Sequence, residues 1–148
     1  MKNSIILNTE QVNALQQGRV TVRVGMTPQP SAGIRKSVFV KSGLEDGHGR
    51  EISPPYQVGQ RLYCRESWRT VDYQYVDGQW SASVQYKADM SYGPRVFWAD
   101  GEESTYERTG WRSPVTMPKS AARLWVTVAN ISVDGKEWVV TMERSESI

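Results

Sequence analysis

Tyr73-Gln74-Tyr75-Val76-Asp77-Gly78-Gln79-Trp80-Ser81-Ala82-Ser83-Val84-Gln85-Tyr86 is the stretch that decides the fold class. Two β-prone arms flank Asp77-Gly78, a dipeptide suited to the two-residue turn in which both central residues take positive φ. A hairpin is therefore expected. Asp134-Gly135 repeats the signal further along, between Leu124 to Val133 and Glu137 to Met142, and Leu124, Val126 and Val128 alternate there as a core strand does. Upstream, Leu62 and Cys64 alternate with Arg61, Tyr63 and Arg65, and Val20, Val22 and Val24 alternate with Arg19, Thr21 and Arg23. Each of these runs predicts a strand with one apolar and one polar face.

Helical signals are few. Thr9 suits an N-cap, Val12 and Leu15 sit on one face, and Gly18 suits the position after the helix, which predicts a short helix over Thr9 to Gln17. Pro118 to Arg123 predicts a single helical turn. Residues 25 to 58 are rich in Gly, Pro and charge and predict a long loop, with Val38 to Lys41 as a short strand within it. Trp98 to Glu102 reads as a turn, and Glu143 to Ile148 as a polar tail. The chain is therefore expected to be α+β and mainly β, as one domain over residues 1–148: a small mixed or antiparallel β-barrel with one or two short helices at its ends. This order is not that of a doubly wound sheet, and neither a Gly-x-Gly-x-x-Gly nor a Gly-x-x-x-x-Gly-Lys run is present.

Composition narrows the chemistry. With 148 residues of which 39% are apolar, the chain is sized for a single packed core. One Cys (Cys64) and one His (His48) supply neither a disulfide framework nor a Cys/His zinc site, so no metal or cofactor is expected. Cys64 reads as an inert buried thiol and His48 as a solvated loop residue. The N-terminal apolar run is only Ile5-Ile6-Leu7, too short for a signal peptide or a membrane span, and a cytoplasmic protein with no membrane partner is the expectation. Charge is distributed unevenly. Residues 18 to 69 carry nine Lys or Arg against four acids, residues 70 to 110 three against seven, and residues 111 to 123 three against none. Two basic stretches thus flank an acidic one, and folding can merge them into a patch that meets phosphate. The aromatic residues are skewed to 6 Trp and 7 Tyr against 2 Phe, rings that suit half-wet surfaces.

Several blocks carry a family resemblance. Leu7-Asn8-Thr9-Glu10 with Gly18-Arg19, Pro28-Gln29-Pro30, Pro55 through Arg69, Tyr86-Lys87-Ala88-Asp89, Trp111-Arg112-Ser113-Pro114 and Met117 through Leu124 fall in the order seen in ASCH-domain proteins of bacteriophages and prophages, which this chain resembles over about Ile5 to Val133. The resemblance implies a PUA-like β-barrel and an RNA-related role. Similar small members hydrolyse N4-acetylcytidine with a Lys, a Thr and a Glu in a Gly-x-Lys-x-x-Glu/Thr-x-Arg pattern. Here Gly18 and Arg19 fit that pattern, while Val20 stands at its Lys, Arg23 at its Glu or Thr, and Gly25 at its Arg.

Three readings follow. The first is a module that binds RNA or another single-stranded nucleic acid through Arg19, Thr21, Arg23, Arg65, Trp68, Arg69, Trp111, Arg112 and Lys119, with Trp68 and Trp111 stacking on bases and the cations holding phosphate. The second is a hydrolase acting on RNA or a modified nucleoside with Glu66 as its acid or base. The third is a protein–protein adaptor that uses an exposed patch of Trp and Tyr. Tyr73, Tyr75, Trp80 and Tyr86 read as cross-strand packing, Trp125 and Trp138 as packing on the closing strands, and Asp100, Glu102 and Glu103 as a solvated turn.

Overall fold

The computed structural model describes residues 3–27, 29–99 and 110–146. The Asp77-Gly78 turn forms as read: Asp77 and Gly78 take φ of 52° and 80°, and join β6 (Trp68–Val76) to β7 (Gln79–Tyr86). Antiparallel to β7 runs β8 (Tyr92–Ala99), completing a three-stranded sheet in the order β6-β7-β8. A second sheet has five strands in the order β1-β5-β9-β10-β2, comprising β1 (Ser4–Ile6), β2 (Arg19–Gly25), β5 (Arg61–Arg65), β9 (Trp125–Asp134) and β10 (Glu137–Ser145). Its β1–β5 pair is parallel and the others are antiparallel. The chain is α+β and mainly β, as expected, and no helix among the described residues is long and apolar enough to cross a membrane.

The expected barrel is not closed. β1 and β2 end the five-stranded sheet, each with a single neighbour, and the chain between them forms the helix α1 (Thr9–Gln16). Its N-cap is Asn8, one residue before the expected Thr9. The Gln11 N–H donates to the Asn8 side chain at 2.8 Å and the Asn8 N–H donates to the Gln11 side chain at 2.9 Å, a reciprocal pair that fixes the first turn. Val12 and Leu15 bury against the valines of β2 and the inner face of β5.

The long irregular third contains more structure than its composition announced. Ile34–Lys36 (β3) and Leu44–Asp46 (β4) pair as a two-stranded ribbon, while Val38 to Lys41, the expected strand, is the bend between them with Val38 and Phe39 exposed. Buried Asp46 organises this segment by accepting N–H bonds from Ser31, His48 and Arg50 and an ion pair from the Arg50 side chain at 3.1 Å. The helical turn expected over Pro118 to Arg123 is a 3-10 turn at Lys119–Ala121, preceded by another at Pro114–Thr116. β10 runs to Ser145, into the expected polar tail, and the expected turn after Trp98 extends beyond the described residues, as do Asp100, Glu102 and Glu103.

Buried apolar side chains form two clusters rather than the single core the length suggested. One lies between α1 and the inner face of the five-stranded sheet and includes Leu15, Val22, Leu62, Val126 and Met142. The other backs the three-stranded sheet and includes Trp68, Val84, Tyr86, Trp98 and Met117. Each sheet has one apolar face, and each such face needs its own cover.

Burial works against the charge of Asp46, yet its hydrogen bonds hold the carboxyl below the ordinary value of 3.8. A folded-state pKa below the unfolded one means stability that is present above pH 3.8 and lost as the pH falls through and below that value. Asp46→Asn should lower the urea midpoint at neutral pH and flatten its fall in acid; an unchanged acid limb would show that Asp46 does not set it.

Candidate functional site

Strand register assembles a site on the outer face of the five-stranded sheet. Arg61, Thr127, Glu143 and Arg19 stand in one row across β5, β9, β10 and β2, and Tyr63 stands opposite Trp125 in the next. Thr21 opposes Thr141 with their hydroxyls 3.4 Å apart, and Arg23 opposes Val139. Arg65 donates to the Tyr63 hydroxyl at 3.2 Å and to the Val115 carbonyl at 3.1 Å, which draws the 3-10 segment onto this face. The Lys119 ammonium then lies 5.3 Å from the Trp125 ring centroid, and Trp125 lies 6.0 Å from Tyr63. Of the expected residues, Arg19, Thr21, Arg23, Arg65 and Lys119 thus share one surface.

The face has two electrostatic halves. On β2, Arg19 pairs with Glu143 at 2.6 Å and Arg23 with Asp134 at 2.8 Å and Glu137 at 3.6 Å. Hydrogen bonding to Asp134 raises the Arg23 pKa above its ordinary value. Around Trp125, by contrast, Arg61, Arg65 and Lys119 have no carboxylate partner among the described residues. Arg61, Tyr63 and Trp125 were not among the expected binding residues. The signal for them was the alternation itself: Leu62 and Cys64 inward put Arg61 and Tyr63 outward, and Leu124 and Val126 inward do the same for Trp125.

The other expected residues lie elsewhere. Trp68 is fully buried, with its Nε1–H on the Thr116 hydroxyl at 3.2 Å and the Arg112 guanidinium 4.6 Å from its ring, so it offers no free face for stacking. Trp111 is half-buried under Arg69, whose guanidinium lies 4.3 Å from that ring while its Nε–H donates to Gln85 at 2.7 Å. These pairs belong to the three-stranded sheet, where Arg112 bridges to Trp68 through the backbone. The aromatics of that sheet divide between its faces. Tyr75 packs on Trp80 with centroids 4.9 Å apart and Trp80 stacks on Trp98, while Phe97 opposes Ser81 and Tyr92 opposes Gln85 on the reverse side.

Glu66, the expected acid or base, is buried and held by Arg123. Nη2 and Nε of Arg123 donate to its two carboxylate oxygens at 2.8 and 3.0 Å. Nη1 of Arg123 reaches Asp89 at 2.9 Å and the Ser91 hydroxyl at 2.8 Å, and the guanidinium lies 4.2 Å from the Tyr86 ring centroid. Burial raises the Glu66 pKa while Arg123 opposes the rise. Partial burial works the same way on Asp89, but the bonds from Arg123, Gln16 and Ser91 outweigh it and hold that carboxyl below its ordinary range. Glu66 faces Arg123 rather than an open cleft, and Cys64 beside it is buried, its thiol pushed up to about 12 by burial and by the Glu66 charge.

Open space lies along β2 instead. A cavity of about 520 Å³ separates β2 from β1, with Ile5, Val22 and Val24 on its inner side and Ser4, Ile6, Arg23 and Arg65 on its outer side. A second, of about 490 Å³, continues between β2 and α1, with Arg19 and Thr21 on its wall. Val20, at the position where the resembled pattern has Lys, is buried in the apolar cluster. Among the described residues no group of three or more His, Cys, Asp or Glu is placed to hold a metal ion.

Comparison of the chain with protein-family models, with curated proteins and with solved structures gives no match in any of the three.

Removing Glu66 leaves a buried guanidinium short of a partner, which typically costs about 3–5 kcal/mol. Glu66→Ala should therefore lose about that much stability by urea unfolding. A loss below 1 kcal/mol, about that of an exposed pair, would show that the Arg123 bridge is not structural.

Proposed function

We propose that this protein binds single-stranded nucleic acid, RNA foremost, across the outer face of the five-stranded sheet. One observation carries the reading: Arg61, Arg65 and Lys119 stand on the same face as Trp125, and none of the three has a carboxylate partner among the described residues. Cations of this kind take up phosphate and release its counterions, and a half-exposed indole among them offers a π-face on which a base of any identity can stack. Arg19, Thr21 and Arg23 extend the surface across β2. Their ion pairs are exposed, hold little energy, and exchange readily for phosphate. The resemblance to ASCH-domain proteins of phages and prophages supports the same partner class. It does not favour hydrolysis here, since the Lys of the resembled pattern is replaced by buried Val20 and Glu66 is engaged by Arg123.

The experiment is fluorescence anisotropy with labelled oligouridylate and oligodeoxythymidylate of about 12 nucleotides, within the usual site size, over a salt series. Three phosphate contacts give a slope of log K against log salt of about −2 for a single strand, and Arg61→Ala or Lys119→Ala should each reduce its magnitude by about 0.7. Trp125→Ala should weaken binding by about 1–3 kcal/mol and leave the slope unchanged. Absence of binding at low salt, or binding insensitive to salt, overturns the proposal. Preference for the ribose over the deoxyribose strand identifies RNA as the ligand.

A further inference from the structure

We propose that the seam between β1 and β2 takes an extended peptide strand from a partner protein, one that alternates apolar and acidic residues and pairs with both open edges of the sheet. The proposal does not rest on nucleic-acid binding at the outer face, although the two surfaces share Arg23 and Arg65.

The phase of each ladder shows which backbone groups are unused. Beyond the two ends of β2, the Met26 N–H donates to the Lys136 carbonyl and the Arg144 N–H to the Gly18 carbonyl, both at 3.0 Å. Bonded pairs recur at every second residue of an antiparallel ladder, so Val20, Val22 and Val24 bond to Met142, Val140 and Trp138. Arg19, Thr21 and Arg23 consequently turn their N–H and C=O groups away from β10. On β1, the Tyr63 N–H donates to the Asn3 carbonyl at 3.2 Å and the Leu7 N–H to the Arg65 carbonyl at 2.9 Å. Asn3, Ile5 and Leu7 therefore face β5, while Ser4 and Ile6 turn their backbone groups outward. The outward groups of Ser4 and Ile6 and those of Arg23 border the same cavity of about 520 Å³.

Two edges of one sheet thus face one groove, each presenting alternating donors and acceptors. A peptide backbone matches that pattern on both its sides, whereas a phosphodiester supplies acceptors only. β1 and β2 run in opposite directions, so an inserted strand is parallel to one and antiparallel to the other whichever way it enters. The three residues of β1 set a paired length of about 10 Å, at about 3.3 Å per residue. Side chains of the inserted strand alternate in the same way as those beside them. Inward ones meet Ile5, Val22, Val24 and Tyr56, which selects apolar residues; outward ones meet Ser4, Ile6, Arg23 and Arg65, which selects carboxylates. Arg23 also fits the charged residues that guard open edges against self-pairing, a guard that an acidic strand would neutralise.

The test uses fluorescein-labelled acetyl-Val-Glu-Val-Glu-Val-amide with the full chain, read by anisotropy and by NMR amide exchange. Exchange at Ser4, Ile6 and Arg23 should slow about tenfold or more on binding, as expected of newly formed ladder bonds. Methylating the peptide nitrogens at alternate positions, in either phase, should abolish binding, and exchanging Glu for Lys should weaken it about tenfold or more. Ile6→Pro removes one outward N–H while sparing the β5 ladder and should lose the peptide; Ile6→Ala, which keeps the N–H, should retain it. Equal binding of the N-methylated peptide, no binding at millimolar peptide, or protection of other amides in place of these overturns the proposal. So does protection of the same three amides by oligouridylate, which assigns the seam to nucleic acid.

Discussion

Arg123 is the interaction on which the rest of the arrangement depends. It lies just before β9 and ties together groups from three other parts of the chain: Glu66 between β5 and β6, Asp89 and Ser91 between β7 and β8, and through Asp89 the Gln16 side chain of α1. A guanidinium with two carboxylates and the Tyr86 ring around it is one of the few ways to hold that much charge in a nearly dry place. Its desolvation is offset by geometry, since four of its contacts are direct hydrogen bonds to carboxylate oxygens. Each sheet is covered by its own apolar residues, and the Arg123 network is the polar joint between them.

That joint explains where the sequence was informative and where it misled. Alternation and turn chemistry are local, so the Asp77-Gly78 hairpin, the β2 alternation and the β9–β10 pair could be read residue by residue. Glu66, Trp68 and Arg69 look like a site because a carboxylate, an indole and a cation fall within four residues. Their surroundings are made by partners far along the chain, namely Arg123 for Glu66, Arg112 and Thr116 for Trp68, and Trp111 and Gln85 for Arg69. No local pattern announces those contacts. The β3–β4 ribbon escaped for a related reason: its three-residue strands are organised by Asp46 from within, and each brings only one apolar residue, Ile34 or Leu44, to the core, too few to show an alternation.

The open seam has a physical origin in connectivity. β1 and β2 are joined through α1, and the helix buries Val12 and Leu15 in the same apolar cluster that receives the inner residues of both strands. The helix covers the inner face while the cavity of about 520 Å³ stays open between the strands, and β2 pairs with β10 on one side only. The break at Thr141/Met142 in the β9–β10 register also falls within the strand that carries β2. Barrel-like order in the sequence is thus compatible with a sheet that curls without closing, because alternation fixes which side of a strand is buried but not whether the last strand meets the first.

The outer face and the seam meet at Arg65. It is bound to the Tyr63 hydroxyl beside Trp125, and it also lines the cavity between β1 and β2. Its Nε–H is buried with no hydrogen-bond partner among the described residues, so its bonds to Tyr63 and Val115 do not use all its donors. A phosphate on the face and a carboxylate in the seam would draw on the same guanidinium, and Arg23 extends the competition across β2. Two anionic ligands sharing cations weaken each other reciprocally, since each reduces the positive charge the other can use. A surface of this design would therefore read the two partners as alternatives, with the choice set by whether the ligand offers stacking bases for Trp125 or backbone amides for the two open edges.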